Sequence, residues 1–103
     1  SIEEYKTYYE SINPTNAEEI YNKVIRQLEY ERKVQEQAEM FSKMKPAAVA
    51  DVLEEMTADT ESVAKILLSM KPANSGAILA QMDPTYAAKV TKRMIDLNEE
   101  MAQ

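Results

Sequence analysis

Residues 44–56 read Met44-Lys45-Pro46-Ala47-Ala48-Val49-Ala50-Asp51-Val52-Leu53-Glu54-Glu55-Met56. Proline fits the first turn of a helix, where its missing N–H has no partner to lose and its φ is already helical. Val49, Val52 and Met56 follow Pro46 at offsets of three, six and ten, which fall toward one side of a helix. The frame recurs downstream. Thr60 leads Val63, Ile66 and Met70; Pro72 leads Ser75, Ile78 and Met82; Pro84 leads Ala87, Val90 and Met94. Upstream, Pro14 leads Ala17, Ile20 and Val24. The close spacing of the starts at 46, 60, 72 and 84 predicts helices of about ten residues joined by connections of about two to four.

Helices this short offer only about three turns of contact each, too little for a long antiparallel bundle. The sequence therefore predicts an all-α fold in which short helices wind into a solenoid-like superhelix, each packing its stripe on the preceding and following ones. Val49, Val52 and Leu53, then Val63, Ile66 and Leu67, then Ile78 and Leu79 are the expected core. Met44, Met56, Met70, Met82 and Met94 close the stripes and read as fillers of the gaps between non-parallel helices rather than as a peptide groove. Gly76 occupies the position held elsewhere by Ala50, Ala64 and Ala88, which predicts close helix approach there.

Ahead of this region, residues 1–13 form a helix over about 2–11 with Tyr5, Tyr8, Tyr9 and Ile12 in an apolar stripe, broken at Asn13-Pro14. Residues 14–44 contain neither Pro nor Gly after Pro14 and predict one long charged helix of about 28 residues, roughly 42 Å. Glu29 with Lys33 and Arg32 with Glu36 are spaced to pair along its surface. A loose heptad runs through Ile20, Val24, Gln27, Glu31, Val34, Ala38 and Phe41, with two polar seam positions; it marks this helix as a possible homodimer element. Residues 45–103 make up the superhelical domain, whose last helix has no stop signal before Gln103.

Composition narrows the chemistry. The 103 residues include 18 acidic and 12 basic side chains, a net charge of -6, and 45% apolar residues. Such an acidic balance disfavours nucleic acid and anionic lipid. No apolar run approaches the roughly 20 residues of a membrane span, and no signal-peptide core is evident. The sequence opens on Ser1, which reads as a processed or excised product whose anchor or address would lie upstream. Cys and His are absent and there is one Gly, so the thiolate nucleophile, the usual general base, the common transition-metal ligands and the glycine-rich phosphate loop all lack their residues.

Ser69 beside Lys65 or Lys71 is a conceivable Ser–Lys pair, but solvated lysines at helix ends are the commoner reason for that juxtaposition. Asp51, Glu54, Glu55 and Asp59, and separately Asp96, Glu99 and Glu100, offer carboxylates at spacings that hold a divalent cation weakly; a solvated helix face is the favoured reading. The expectation is no enzyme, no catalytic residue, no cofactor and no metal site. Tyrosine suits interfaces, being apolar in body and polar at its tip. Tyr5, Tyr8, Tyr9, Tyr30, Val34 and Phe41 are accordingly the candidate partner-contact residues.

The run from Met44 to Met56, with Val63-Ala64-Lys65-Ile66-Leu67-Leu68-Ser69-Met70-Lys71-Pro72, Ile78-Leu79-Ala80-Gln81-Met82-Asp83-Pro84 and Ala87-Ala88-Lys89-Val90, resembles the superhelical domain named after the N-terminal region of the MgtE magnesium transporter. That domain also occurs in flagellar stator chaperones of the MotE type. The resemblance spans about residues 40–94, with an echo at 14–24. Ser75-Gly76 departs from the Ala-Ala usual at that point. The flagellar branch implies an extracytoplasmic accessory protein, tethered by an upstream membrane anchor, that binds and stabilises a stator subunit. The transporter branch implies a cytoplasmic magnesium-sensing regulatory domain. The long charged helix before the repeats favours the flagellar branch.

Overall fold

The computed structural model describes residues 1–12 and 14–102, with side chains described at all of these but 9, 10, 12, 14, 101 and 102. The described residues form six helices: α1 (Ile2–Ile12), α2 (Pro14–Ser42), α3 (Pro46–Glu54), α4 (Thr60–Leu68), α5 (Pro72–Leu79) and α6 (Pro84–Ala102). No strand occurs among them. The long helix expected ahead of the short ones is α2, at 29 residues, and α3, α4 and α5 have 9, 9 and 8. The break expected at Asn13-Pro14 falls in part on Asn13, which lies outside the described residues.

Two devices start the short helices. Lys45 and Lys71 are held extended, at φ -64, ψ 133 and φ -62, ψ 141, because the following proline excludes helical backbone at the residue before it. Helix α4 has no proline, and the Asp59 carboxylate instead accepts from the Ser62 N–H at 3.1 Å. At α6, Asp83 accepts from the Tyr86 N–H at 3.1 Å, while its own N–H donates to Glu54 at 3.1 Å. The helices end without left-handed residues: no described residue has positive φ. Tight bonds close the last turns instead, such as Met56 N–H to the Leu53 carbonyl and Gln81 N–H to that of Ile78. A chain with one glycine can therefore turn four corners.

The chain divides into two compact units, Ser1–Lys33 and Val34–Gln103, so the division falls inside α2. In the second unit α3 packs on α5, α4 on α6, and α4 more lightly on α5. The main partner of a short helix is thus the next but one, where the sequence predicted its immediate neighbours. A single tight corner swings the next helix away, and a second corner brings the chain back. Leu53, Val63, Leu67, Ile78 and Val90 are at most 2% exposed and form the centre of this unit. Val34, Ala38 and Phe41, from the end of α2, are buried too.

Besides Leu79, an expected core residue that is only half-buried, three expected packing positions differ. Val52 is 43% exposed and Met44 37%, whereas Met70 and Met82 are buried and Met56 and Met94 half-buried. In α3 the inward face is Val49, Ala50 and Leu53, and Val52 points about 100° off the Leu53 direction. Met44 belongs to the turn after α2 and closes no stripe. Gly76 is the third correction. It is exposed, and a Cβ built on it meets nothing within 4 Å. The close contact falls one residue earlier, where the buried Ser75 hydroxyl donates to the Leu67 carbonyl at 2.6 Å. Gly76→Ala should therefore stabilise the fold by about 0.5–1 kcal/mol, since alanine removes backbone entropy from the unfolded chain without a steric cost. A thermal melt that failed to rise would show that the glycine has a role its surroundings do not reveal.

Candidate functional site

Helix α1 carries the tyrosine stripe. Tyr5 is 44% and Tyr8 62% exposed, with Glu3, Glu4 and Thr7 beside Tyr8 around a recess open to solvent. Another side of α1 faces α2, where the Lys6 ammonium lies 4.8 Å from the centre of the Tyr21 ring. A second open recess lies on α2, between Glu19, Ile20, Lys23 and Arg26. Both are shallow surfaces of helices, with no enclosure to hold a small molecule away from water.

The six predicted contact residues separate by environment. Tyr5 and Tyr8 are about half exposed to solvent; the side chain of Tyr9 lies outside the described residues. Tyr30 is half-buried. Val34 and Phe41, at 9% and 7% exposure, are core residues of the second unit, so they offer no contact face while that unit is folded. Heptad spacing alone had grouped them with the exposed part of the helix. Exposed apolar side chains outside this set include Leu28, Met40 and Ile95, at 43%, 48% and 57%, beside Met44 and Val52.

Four carboxylates of the acidic clusters are engaged by their own chain. Glu54 accepts from the Asp83 N–H, Asp59 caps α4, Asp96 pairs with Lys92 at 2.6 Å, and Glu100 with Arg93 at 3.1 Å. Among the described residues no group of three or more acidic side chains is placed to hold a metal ion. The Ser–Lys pairing likewise resolves into local structure: the Ser69 hydroxyl donates to the Lys65 carbonyl at 2.9 Å, and the Lys65 ammonium lies 3.9 Å from Glu61. No described helix is long and apolar enough to cross a membrane.

Across α4 and α6, Arg93 joins Glu61 to Glu100. The Arg93 guanidinium, and after it the Lys65 charge, hold the Glu61 carboxyl below the ordinary glutamate range. Hydrogen bonds from Ser62 do the same for Asp59. Both groups are more acidic folded than unfolded, so their contribution to stability is present above the unfolded values and lost as pH falls through the folded ones. Melting temperature should hold from about pH 7 to about pH 5 and decline toward about pH 3, the region where carboxylates titrate. Glu61→Gln should flatten that decline; an unchanged slope would assign it to other carboxyls.

Compared with protein-family models, with curated proteins and with solved structures, the chain matches none.

Proposed function

We propose that this chain is a non-catalytic protein-interaction module of a flagellar accessory protein, similar to stator chaperones of the MotE type, and that Tyr5 and Tyr8 belong to its contact face. The observation that carries this reading is the tyrosine pair itself, two large aromatic side chains about half exposed on one short helix. Tyrosine anchors interfaces at low entropic cost because few torsions are fixed on binding. The partner is a stator subunit, and the module works outside the cytoplasm, tethered through a membrane anchor upstream of Ser1. The alternative, a cytoplasmic magnesium-sensing domain of an MgtE-type transporter, needs carboxylates free to converge on a cation. The engagement of Glu54, Asp59, Asp96 and Glu100 with groups of their own chain favours the interaction module.

Co-expression with the extracytoplasmic domain of a flagellar stator subunit tests the proposal. Co-elution on gel filtration is expected, with the affinity falling about tenfold or more in a Tyr5→Ser, Tyr8→Ser variant, as for loss of interface anchors. Separate elution of the unaltered chain would sink the flagellar reading. A melting temperature raised by magnesium at about 20 mM, well above the range of weak extracellular-type sites, would instead support the transporter one.

A further inference from the structure

We propose that α2 opens in two stages: residues 18–33 unwind and rewind while residues 34–42 stay wound as part of the second unit. Two independent observations place the step at Val34. The first is a repeat, in which Met44-Lys45-Pro46-Ala47 returns 26 residues later as Met70-Lys71-Pro72-Ala73. The corner bonds return with it. The Met44 N–H donates to the Phe41 carbonyl at 3.1 Å and the Met70 N–H to the Leu67 carbonyl at 3.2 Å, while the Val49 and Ser75 N–H groups donate to the Lys45 and Lys71 carbonyls, each at 3.1 Å. On the same shift of 26 residues, Ala38 and Phe41 of α2 stand where Ala64 and Leu67 stand in α4, all four buried. Thr60, the first residue of α4, then falls on Val34. The end of α2 is thus a short helix of the same kind as α4. Asp59 caps α4, but its counterpart is Lys33, whose side chain has no acceptor, and here the helix runs on upstream.

The second observation is burial. The chain divides between Lys33 and Val34, and no side chain of residues 18–33 is buried, whereas Val34, Ala38 and Phe41 beyond the division are. Ile20, Tyr21, Val24 and Ile25 are half-buried. Residues 18–33 are held by surface contacts, among them the Lys6 ammonium of α1 over the Tyr21 ring and the Gln27 amide donating to Glu31 at 3.1 Å. A helix that extends from a fixed end needs no new nucleus, so this stretch can unwind and re-form while the core stays closed. A partner that contacts α1 and α2 together binds only the wound form and draws the helix into it. That coupling rests on the tyrosines being a contact face; the two-stage opening does not.

Native-state hydrogen exchange on the full chain, without a partner, tests the proposal. Helical amides bond four residues back, so protection should become core-like at Ala38, the first amide whose acceptor lies at Val34. Amides of residues 22–33 should exchange about 100-fold or more faster than those of residues 64–67 in α4, and amides of residues 38–41 should match α4 to within about tenfold. Two proline variants at exposed positions give a second readout, since proline removes a helical N–H and clashes one turn back. Gln27→Pro should leave the midpoint of the main urea transition unchanged, and Glu39→Pro should lower it. Exchange at residues 22–33 as slow as in α4, protection at residues 38–41 as weak as at 22–33, or a midpoint lowered equally by both prolines would overturn the proposal.

Discussion

Leu67→Ala should cost the second unit about 2–5 kcal/mol of unfolding free energy, read as a lower urea midpoint by circular dichroism. Leu67 is 1% exposed, and its helix, α4, packs on both α5 and α6. Truncation removes the transfer energy of three carbons and leaves a cavity that short helices fixed by capped corners close only in part. The backbone adds a second constraint. The Leu67 carbonyl takes the Ser75 hydroxyl at 2.6 Å, so α4 cannot shift to fill the space without stretching its tie to α5. For some 70 residues the whole stability is of the order of 4–10 kcal/mol, so the loss is a large fraction of it. Val52→Ala, at an exposed position of α3 in the same unit, serves as the control and should change stability by less than about 0.5 kcal/mol. A loss below 1 kcal/mol at Leu67 would mean that α4 is not the centre of the unit.

The number of helices, their type and their starts were legible because proline and capping chemistry is local. Pro46, Pro72 and Pro84 act on the residues next to them, and a reader of the sequence sees the whole cause. Which face points inward is not local. In α3 the buried residues stand three, four and seven after the starting proline, at Val49, Ala50 and Leu53. In α6 they stand two, six and thirteen after it, at Tyr86, Val90 and Leu97. At about 100° per residue, the inward face has rotated by more than a quarter turn between those helices, so one frame of offsets could not serve both. Gly76 and Val52 were misplaced for this reason. The candidate site was less legible still. Exposure separated Tyr5 and Tyr8 from Val34 and Phe41, and exposure depends on where other helices lie, which spacing along one helix does not encode.

Tyr86→Ala should destabilise the second unit by about 3–5 kcal/mol, as truncation of a buried aromatic does elsewhere. The sequence gives this residue no special mark, since it stands one place before the expected stripe of Ala87, Val90 and Met94. It is nevertheless 9% exposed and links distant segments: its hydroxyl donates to the Met56 carbonyl at 3.4 Å, and its N–H caps α6 through Asp83. Asp83 in turn donates its N–H to Glu54, so the end of α3 and the start of α6 meet around the ring. Burial first, and then the charges of Asp59 and Glu54, push the Tyr86 phenol above its ordinary pKa. The neutral phenol is therefore favoured by folding; its contribution is complete below the ordinary tyrosine value and lost as pH rises through the folded one. Tyr86→Phe separates packing from the hydroxyl. It keeps the ring, loses a long hydrogen bond to a carbonyl that also accepts from the Asp59 N–H, and should cost no more than about 1 kcal/mol. Above about pH 10 that variant should hold its melting temperature better than the parent chain, because it has no phenol to ionise. Equal losses for Phe and Ala would assign the role to the hydroxyl, and a small loss for both would place the ring outside the core.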